Sequence, residues 1–216
     1  KATKVYDGTS KYTVAPGRTL EADTGEIIAG DVITFAIDRT KGANFTQNDG
    51  VTETKNVADA RKVAYHVTAA GNAETLRNYT LNGKNLEAGD LTASGDGEIT
   101  PFQVTRANFN LKLKDLDKTY DGNAFVKDGT PENPAGWKTS HIDKSEITDG
   151  SNNHLYDLDV DKVASATYRN AADTADDKNV DTGKKVLFKL KFTDETLKNF
   201  NFDDLETADA NGSQMI

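Results

Sequence analysis

The sequence predicts an all-β protein made of two tandem domains, each a β-sandwich of the immunoglobulin-like kind. Three observations support this prediction: apolar and polar residues alternate over short segments, clusters of Gly, Asn and Asp separate those segments, and the chain repeats itself. Six or seven short strands in about 100 residues are typical of a sandwich. A short helical turn in each half keeps a β-grasp-like α+β arrangement open as the alternative.

Alternating polarity marks the strands. In residues 186–192 apolar side chains fall at every second position, and Lys189 and Lys191 point the other way. A period of two is that of a strand with one buried face. The same pattern predicts strands at 32–37, 63–67 and 109–113, and shorter ones that begin at Tyr79 and Phe200. Helix is predicted only at 73–78 and 194–199.

Three blocks of sequence occur twice in the same order. The repeated pairs are 4–8 with 118–122, 55–57 with 178–180, and 74–79 with 195–200. Their offsets are 114, 123 and 121, so a tandem duplication is predicted, with nine extra residues between the first two blocks of the second copy. Residues 131–136 are rich in Pro, Gly and Asn, which suits an inserted loop.

The boundary between the copies is predicted at residues 97–101, which gives domains 1–101 and 102–216. We expect the last five residues, 212–216, to lie at roughly the same place in the second copy as residues 97–101 in the first. The chain then ends at the edge of a domain.

Composition narrows the function classes. With 26 basic and 35 acidic residues the formal net charge is −9, and such a field repels nucleic acid and anionic membranes. Without cysteine there can be no disulfide, thiolate metal site or cysteine nucleophile. No apolar run approaches the about 20 residues that a membrane helix needs. We expect no membrane insertion, and the acidity to serve solubility.

The repeated blocks carry a family resemblance. The Tyr-Asp-Gly motifs at 6–8 and 120–122, the Lys-Asn-Val blocks, residues 78–81 and the Gly-Glu-Ile-Thr-Pro segment at 97–101 resemble the YDG domain. This resemblance covers nearly the whole chain. It implies a repeat unit of secreted bacterial surface adhesins, including filamentous-haemagglutinin-like proteins, and an extracellular location. The second copy departs from the pattern in residues 199–202 and in its enlarged loop.

The motif residues themselves suit a structural role. Gly8 and Gly122 permit a tight turn with positive φ, and Asp7 and Asp121 can accept backbone N–H bonds within it. Tyr6 and Tyr120 are expected to bury their rings. The predicted core of the first copy is Tyr6, Val63, Tyr65, Val67, Leu76 and Tyr79, and that of the second is Tyr120, Val186, Phe188, Leu190, Leu197 and Phe200.

Catalysis is not expected. The chain has three histidines, His66, His141 and His154, and none lies in a nucleophile, phosphate-loop or zinc-ligand motif. His66 falls on the polar face of its strand, and the other two lie in the enlarged region of the second copy. We therefore predict a protein that is not an enzyme and that uses no cofactor.

A calcium site is a further hypothesis. Asp157, Asp159 and Asp161 alternate along one predicted strand, which would place their carboxylates on one face. Asp115 and Asp117 precede the second Tyr-Asp-Gly motif. Hard oxygen ligands suit calcium, although the EF-hand spacing and its glycine are absent. A solvated acidic strand face is the simpler interpretation.

A self-formed Lys–Asn isopeptide crosslink is another hypothesis, because some bacterial surface domains carry one between their first and last strands. The candidate lysines are Lys4 and Lys118, and the candidate asparagines are Asn78 and Asn199. All four lie beside predicted turns, which argues against the buried apolar site that such a bond needs.

Two functions from different classes follow. In the first, the monomeric chain is a spacer whose partners are neighbouring repeats, and it holds a distal binding head away from the cell. In the second, the insert around Trp137, the only tryptophan, binds a host protein or glycan directly.

Overall fold

A computed structural model describes residues 1–20, 27–114, 117–126, 142–181, 184–202 and 214–215, with the backbone alone at 162, 164, 188, 214 and 215. The fold is all-β, with 44% strand and 6% helix, as the alternating polarity predicts. The chain divides into two compact units, Lys1–Pro101 (unit 1) and Phe102–Ile216 (unit 2).

Unit 1 is built on one mixed sheet and a short hairpin. Its elements are β1 (Ala2–Val5), β2 (Lys11–Tyr12), β3 (Ile33–Ile37), β4 (Ala43–Thr46), β5 (Lys62–Gly71), α1 (Ala73–Leu76), β6 (Thr80–Leu81), β7 (Lys84–Asn85) and β8 (Leu91–Thr100). The strand order is β1-β8-β5-β4-β2, and β3 pairs with the half of β5 that β4 leaves open. All pairs are antiparallel except β1 with β8.

The described residues of unit 2 form three smaller sheets. Its elements are β9 (Phe102–Gln103), β10 (Phe109–Leu113), β11 (Ile142–Thr148), β12 (His154–Asp157), β13 (Val160–Tyr168), β14 (Val186–Phe192), α2 (Asp194–Asn199), β15 (Phe200–Asn201) and β16 (Gln214–Met215). The sheets are β10-β11-β12, β13-β14-β16 and β15-β9. β15 and β9 pair in parallel.

Each unit has its own buried core. In unit 1, Phe45 and Val63 are fully buried, and Tyr12 packs edge-on against Phe45 at 5.4 Å between ring centroids. In unit 2, Phe192 is fully buried and stacks on Phe202 at 4.7 Å. Paired aromatic rings of this kind add to the stabilisation that burial alone gives a small domain.

The strand and helix predictions from local patterns are confirmed. The segments 109–113 and 186–192 are β10 and β14, and 32–37 and 63–67 fall within β3 and β5 apart from Val32. The two predicted helical turns are α1 and α2. Asn72 caps the first helix and Thr193 the second, each by accepting a backbone N–H with its side-chain oxygen.

The core prediction holds better in unit 1 than in unit 2. Buried as predicted are Tyr6, Val63, Tyr65, Val67, Leu76, Leu190 and Phe200. Tyr79 and Val186 are half-buried. The side chain of Phe188 lies outside the described residues.

Two core predictions in unit 2 are wrong. Leu197 is 36% exposed, because Thr196 faces inwards instead, where its hydroxyl contacts Thr193 and the Asp159 carbonyl. Tyr120 is 58% exposed. In unit 1 the backbone N–H of Tyr6 donates to Thr100 of β8, and no described residue of unit 2 forms the matching stretch of strand.

Each unit forms the same backbone hydrogen bond at an equivalent position. Thr54 donates to the Phe45 carbonyl in unit 1, and Asp177 donates to the Tyr168 carbonyl in unit 2, at an offset of 123 for both residues. In each unit, the turn between the donor and the acceptor contains one residue with positive φ. The angle is 73° in unit 1 and 57° in unit 2. These positions are Gly50 and Asp173. The residues just before the second repeated block, 45–54 and 168–177, therefore build the same turn in both units.

The expectation for the last residues is wrong. Leu190 of β14 pairs with Gln214, and by the offset of 123 this pair corresponds to Val67 with Leu91 in unit 1. Gln214 thus corresponds to Leu91, the first residue of β8, six residues before the segment 97–101 begins. The sequence pattern misplaced it because residues 212–216 match Gly-Glu-Ile-Thr-Pro only at the first glycine.

Candidate functional site

The Tyr-Asp-Gly motif of unit 1 is organised around the lysine that precedes it. The ammonium of Lys4 donates to the Asp7 carboxylate at 2.6 Å, to the Thr9 carbonyl at 2.6 Å and to the Lys11 carbonyl at 2.9 Å. The Thr9 hydroxyl oxygen is a fourth acceptor, at 3.2 Å. The ammonium also lies 5.6 Å from the ring centre of Phe45, a cation–π distance. Lys4 therefore links β1 to β2 and β4.

Unit 2 repeats this arrangement. The ammonium of Lys118 donates to the Asp121 carboxylate at 2.7 Å and to the Asn123 carbonyl at 3.0 Å. It lies 5.9 Å from the ring centre of Tyr168. The side chains of Lys118 and Lys4 are each 13% exposed. The two repeats thus place a lysine ammonium group in the same largely buried position.

The turn that follows each lysine behaves as the sequence predicts. Gly8 has φ of 76° and Gly122 has φ of 84°, a region that side chains with a Cβ rarely enter. The carboxylate of Asp7 accepts the backbone N–H two residues on at 2.9 Å, and that of Asp121 does the same at 3.1 Å. These Asx turns fix the lysine's acceptors in place.

The motif carboxylates are held in their ionised form. Burial alone would raise the pKa of Asp7, but hydrogen bonds from Lys4 and Thr9 together outweigh it, so its pKa lies below the ordinary value. For Asp121 the hydrogen bond from Lys118 is the largest influence, and its pKa is also lowered. Each motif is therefore an ion pair at neutral pH.

The structure does not bring the isopeptide candidates together. Lys4 and Lys118 bond within their own turns, as described above. The side-chain amide of Asn78 donates to the Glu74 carbonyl at 3.1 Å, and that of Asn199 donates to the Glu195 carbonyl at 3.2 Å. Both asparagines thus donate to a backbone carbonyl in the first turn of the helix beside them.

The calcium candidates do not share a strand. Asp157 ends β12, which pairs with β11, whereas Asp161 lies in β13, which pairs with β14. Buried Leu158 and the backbone of Asp159 form the break, and the Asp159 carbonyl accepts the Thr193 N–H at 2.9 Å. The three carboxylates therefore line no common face, because the strand changes sheets between them. Asp115 lies outside the described residues and Asp117 is exposed.

A different trio of side chains meets in unit 2. Possible ligand atoms of Glu146, His154 and Asp157 lie within 4.8 Å of one another. Glu146 is buried and accepts a hydrogen bond from Asn110 at 2.8 Å, and Lys144 approaches it at 3.5 Å. Lys144 therefore already places a positive charge beside the Glu146 carboxylate. Sequence reasoning missed this trio because it forms only when β11 pairs with β12.

The remaining candidates contribute no cluster of catalytic groups. His66 Nδ1 lies 3.1 Å from the Asp90 carboxylate on an exposed face, and His154 Nε2 lies 3.0 Å from Asp157. His141 and Trp137 lie outside the described residues. In the part of the chain that the structure describes, no helix has the length and apolar character needed to cross a bilayer.

Comparison with protein-family models, with curated proteins and with solved structures finds no match to this chain.

Proposed function

We propose that this chain is a non-enzymatic spacer segment of a secreted bacterial cell-surface adhesin, built to carry tension between its ends. The observation that carries the proposal is the pairing of the first and last strands of unit 1. The adhesin class and the extracellular location rest on the resemblance of the repeated blocks to YDG domains.

The terminal strands of unit 1 run parallel. Ala2 pairs with Gly97 and Val5 with Thr100, so the chain enters at one end of the β1–β8 ladder and leaves at the other. A force that separates the two ends of the unit slides these strands past each other. Because this force acts along the strands and across every bond of the ladder, the hydrogen bonds between them bear the load together rather than one after another. This geometry suits a spacer.

The lysine of the Tyr-Asp-Gly motif strengthens the same region. Lys4 comes from β1, and its contacts with the Lys11 carbonyl and the Phe45 ring join that strand to β2 and β4. β1 is therefore fastened on one side by backbone bonds to β8 and at its end by a side chain. Recurrence of the lysine contacts in unit 2 supports a role that each repeat needs for itself.

The titration pattern supports a structural rather than a catalytic use of the acidic residues. Among the described residues, every carboxyl group with a resolved shift has a lowered pKa. The groups are Asp7, Asp38, Asp49, Asp90, Glu98, Asp121, Asp149 and Asp177. A general acid that works near neutral pH needs the opposite shift. Hydrogen bonds within turns or from neighbouring cations lower these values.

Single-molecule force measurements on the chain test the proposal. The chain has no cysteine, so paired cysteine handles can be introduced without competition. Handles at Lys1 and Pro101 load the β1–β8 ladder in shear, whereas handles at Lys1 and Asp96 peel β1 away from its first bond onward. We expect the unfolding force of unit 1 to be severalfold higher in the first geometry. Equal forces would remove the mechanical support for a spacer.

A binding assay separates the spacer from an adhesive module. The chain is applied to a glycan array and to immobilised host-matrix proteins, with Trp137→Ala as the matched variant. We expect no signal from either protein. A signal that disappears in the variant would favour direct adhesion through the insert and would overturn the spacer proposal, while leaving the force result unchanged.

A further inference from the structure

In unit 1, β8 lies between two other strands. Its first half pairs antiparallel with β5, from Val67 with Leu91 to Lys62 with Asp96. Its last four residues pair parallel with β1. The final contact of this second ladder is the hydrogen bond from the Tyr6 N–H to the Thr100 carbonyl at 2.8 Å. β8 thus joins the Tyr-Asp-Gly segment to the middle of the sheet.

Unit 2 forms only the start of the equivalent strand. β16 pairs with Leu190 and Lys189 of β14, in the register in which β8 starts on β5. Among the described residues, the rest of this edge of β14 has no partner strand, and β13 occupies the other edge. Residues 117–119, which match the last three residues of β1, form no strand.

A groove in unit 2 is lined by Tyr120 and Val186, whose counterparts Tyr6 and Val63 contact β8 in unit 1. Its volume is about 380 Å³, and it is lined by Lys118, Tyr120, Tyr168, Val180, Lys184 and Val186 among others. Tyr120 is 58% exposed, whereas its counterpart Tyr6 is 8% exposed. Val180, also on the groove, is 83% exposed. The aromatic or aliphatic lining side chains are Tyr120, Tyr168, Val180 and Val186, and the others are charged or polar. Exposed apolar side chains beside an unpaired strand edge favour the addition of a strand.

We propose that this groove is the acceptor site for one additional β-strand, supplied by a segment that continues β16 and has the residue pattern of 93–100. That strand would run antiparallel to β14 and parallel to the Tyr120 segment. β16 is already in register on β14, so a continuation of it closes no new loop and loses the least chain entropy on docking. This inference rests on the repeat of the sheet and not on the spacer function.

Unit 1 shows which residues the added strand must contain. A Cβ placed on Gly97 would meet the Val63 side chain at 2.7 Å and the Lys62 backbone at 2.8 Å, so β8 needs a glycine there. The corresponding residues on β14 are Val186 and, just before it, Lys185. Ile99 of β8 is 1% exposed, so the strand also needs an apolar residue two positions after that glycine. A segment without both features would not fit.

An extended chain tests the proposal. The residues Ser-Gly-Asp-Gly-Glu-Ile-Thr-Pro, which are 94–101 of unit 1, are joined after Ile216, where the register places them. In the matched control extension the fourth of these residues is valine. We expect the glycine form to raise the melting temperature of unit 2 by about 5 °C or more and to slow amide exchange of Tyr120 and Val186. The transition of unit 1 should not move.

The variant Tyr120→Ala provides a second, independent measurement. In the unextended chain it should change the melting temperature little, because the ring is exposed. In the chain with the glycine extension it should lower the unit 2 transition by several degrees, because the docked strand covers the ring. Equal effects of Tyr120→Ala in both backgrounds would overturn the proposal, as would equal melting temperatures for the glycine and valine extensions.

The free peptide of the same eight residues identifies the source of the strand. Added to the unextended chain at millimolar concentration, it should protect Tyr120 less than the covalent extension does. Protection by the free peptide with none from the extension would assign the groove to a strand from another molecule. That outcome would overturn the proposed continuation of β16.

Discussion

At the scale of single residues, the most informative group is the lysine before each Tyr-Asp-Gly motif. Lys4 and Lys118 are each 13% exposed, a position where an ammonium group needs a full set of partners. Each finds a carboxylate, at least one carbonyl and an aromatic ring within its own unit. The motif is thus a charged clamp, and the aspartate contributes both the turn and the counter-charge.

The clamp should make unit 1 sensitive to acid. The folded-state pKa of Asp7 is lowered, so its ionised form stabilises unit 1 above the unfolded pKa, near 4, and that stabilisation is lost as pH falls through the folded value. We expect Asp7→Asn to lower the free energy of unfolding at pH 7 by about 0.5–1.5 kcal/mol, since the carboxylate is half exposed. Below the folded pKa the two proteins should converge.

Thermal unfolding between pH 2 and 7 measures this difference. Asp143→Asn, which removes an exposed carboxylate from unit 2, is the control and should leave the unit 1 transition unchanged at every pH. A constant gap between Asp7→Asn and the unmodified chain down to pH 2 would show that the ion pair is not the source of the effect.

At the scale of elements, the close approach of β8 to β5 requires a glycine in β8. A pattern of polar and apolar residues does not reveal this requirement. Gly95 and Gly97 occupy the same face of β8. A Cβ at Gly95 would lie 3.6 Å from the Tyr65 ring, an ordinary contact, whereas one at Gly97 would overlap the Val63 side chain and the Lys62 backbone. β8 can approach β5 only because one of its residues has no side chain.

This difference gives a matched pair of variants. We expect Gly97→Ala to reduce the free energy of unfolding of unit 1 by about 1–3 kcal/mol, because β8 must move away from β5. Gly95→Ala should be neutral or slightly stabilising, since alanine restricts the unfolded chain without a clash. Chemical denaturation of both variants measures the two values. Equal destabilisation would place the cause outside the β5–β8 contact.

At the scale of the whole molecule, each unit encloses its own hydrophobic core. Phe45 in unit 1 and Phe192 in unit 2 are both fully buried. Replacing either with alanine removes a ring from a small core, which costs about 3–5 kcal/mol. We expect Phe45→Ala to lower the unit 1 transition alone and Phe192→Ala to lower the unit 2 transition alone. Differential scanning calorimetry resolves the two, and a single shared transition in either variant would contradict separate folding.

Much of the local structure could be predicted from the sequence. The strands β10 and β14, the two helical turns and the positive φ of Gly8 and Gly122 all depend on residues close together in the chain. Hydrophobic alternation and turn chemistry report such local preferences directly. Predictions that assumed a long-range partner failed more often. Tyr120 is exposed, whereas Tyr6 is buried where its backbone N–H reaches the carbonyl of Thr100, a residue distant in the chain.

The sequence by itself determined that this protein is all-β, that it repeats, and that each Tyr-Asp-Gly motif is a turn, because side-chain period and glycine placement act within a few residues. Only the tertiary structure decided that β1 pairs parallel with β8, that the motif lysine is a clamp, and that Asp157 and Asp161 belong to different sheets. Strand order and register are set by contacts between distant segments, and a local pattern does not contain that information.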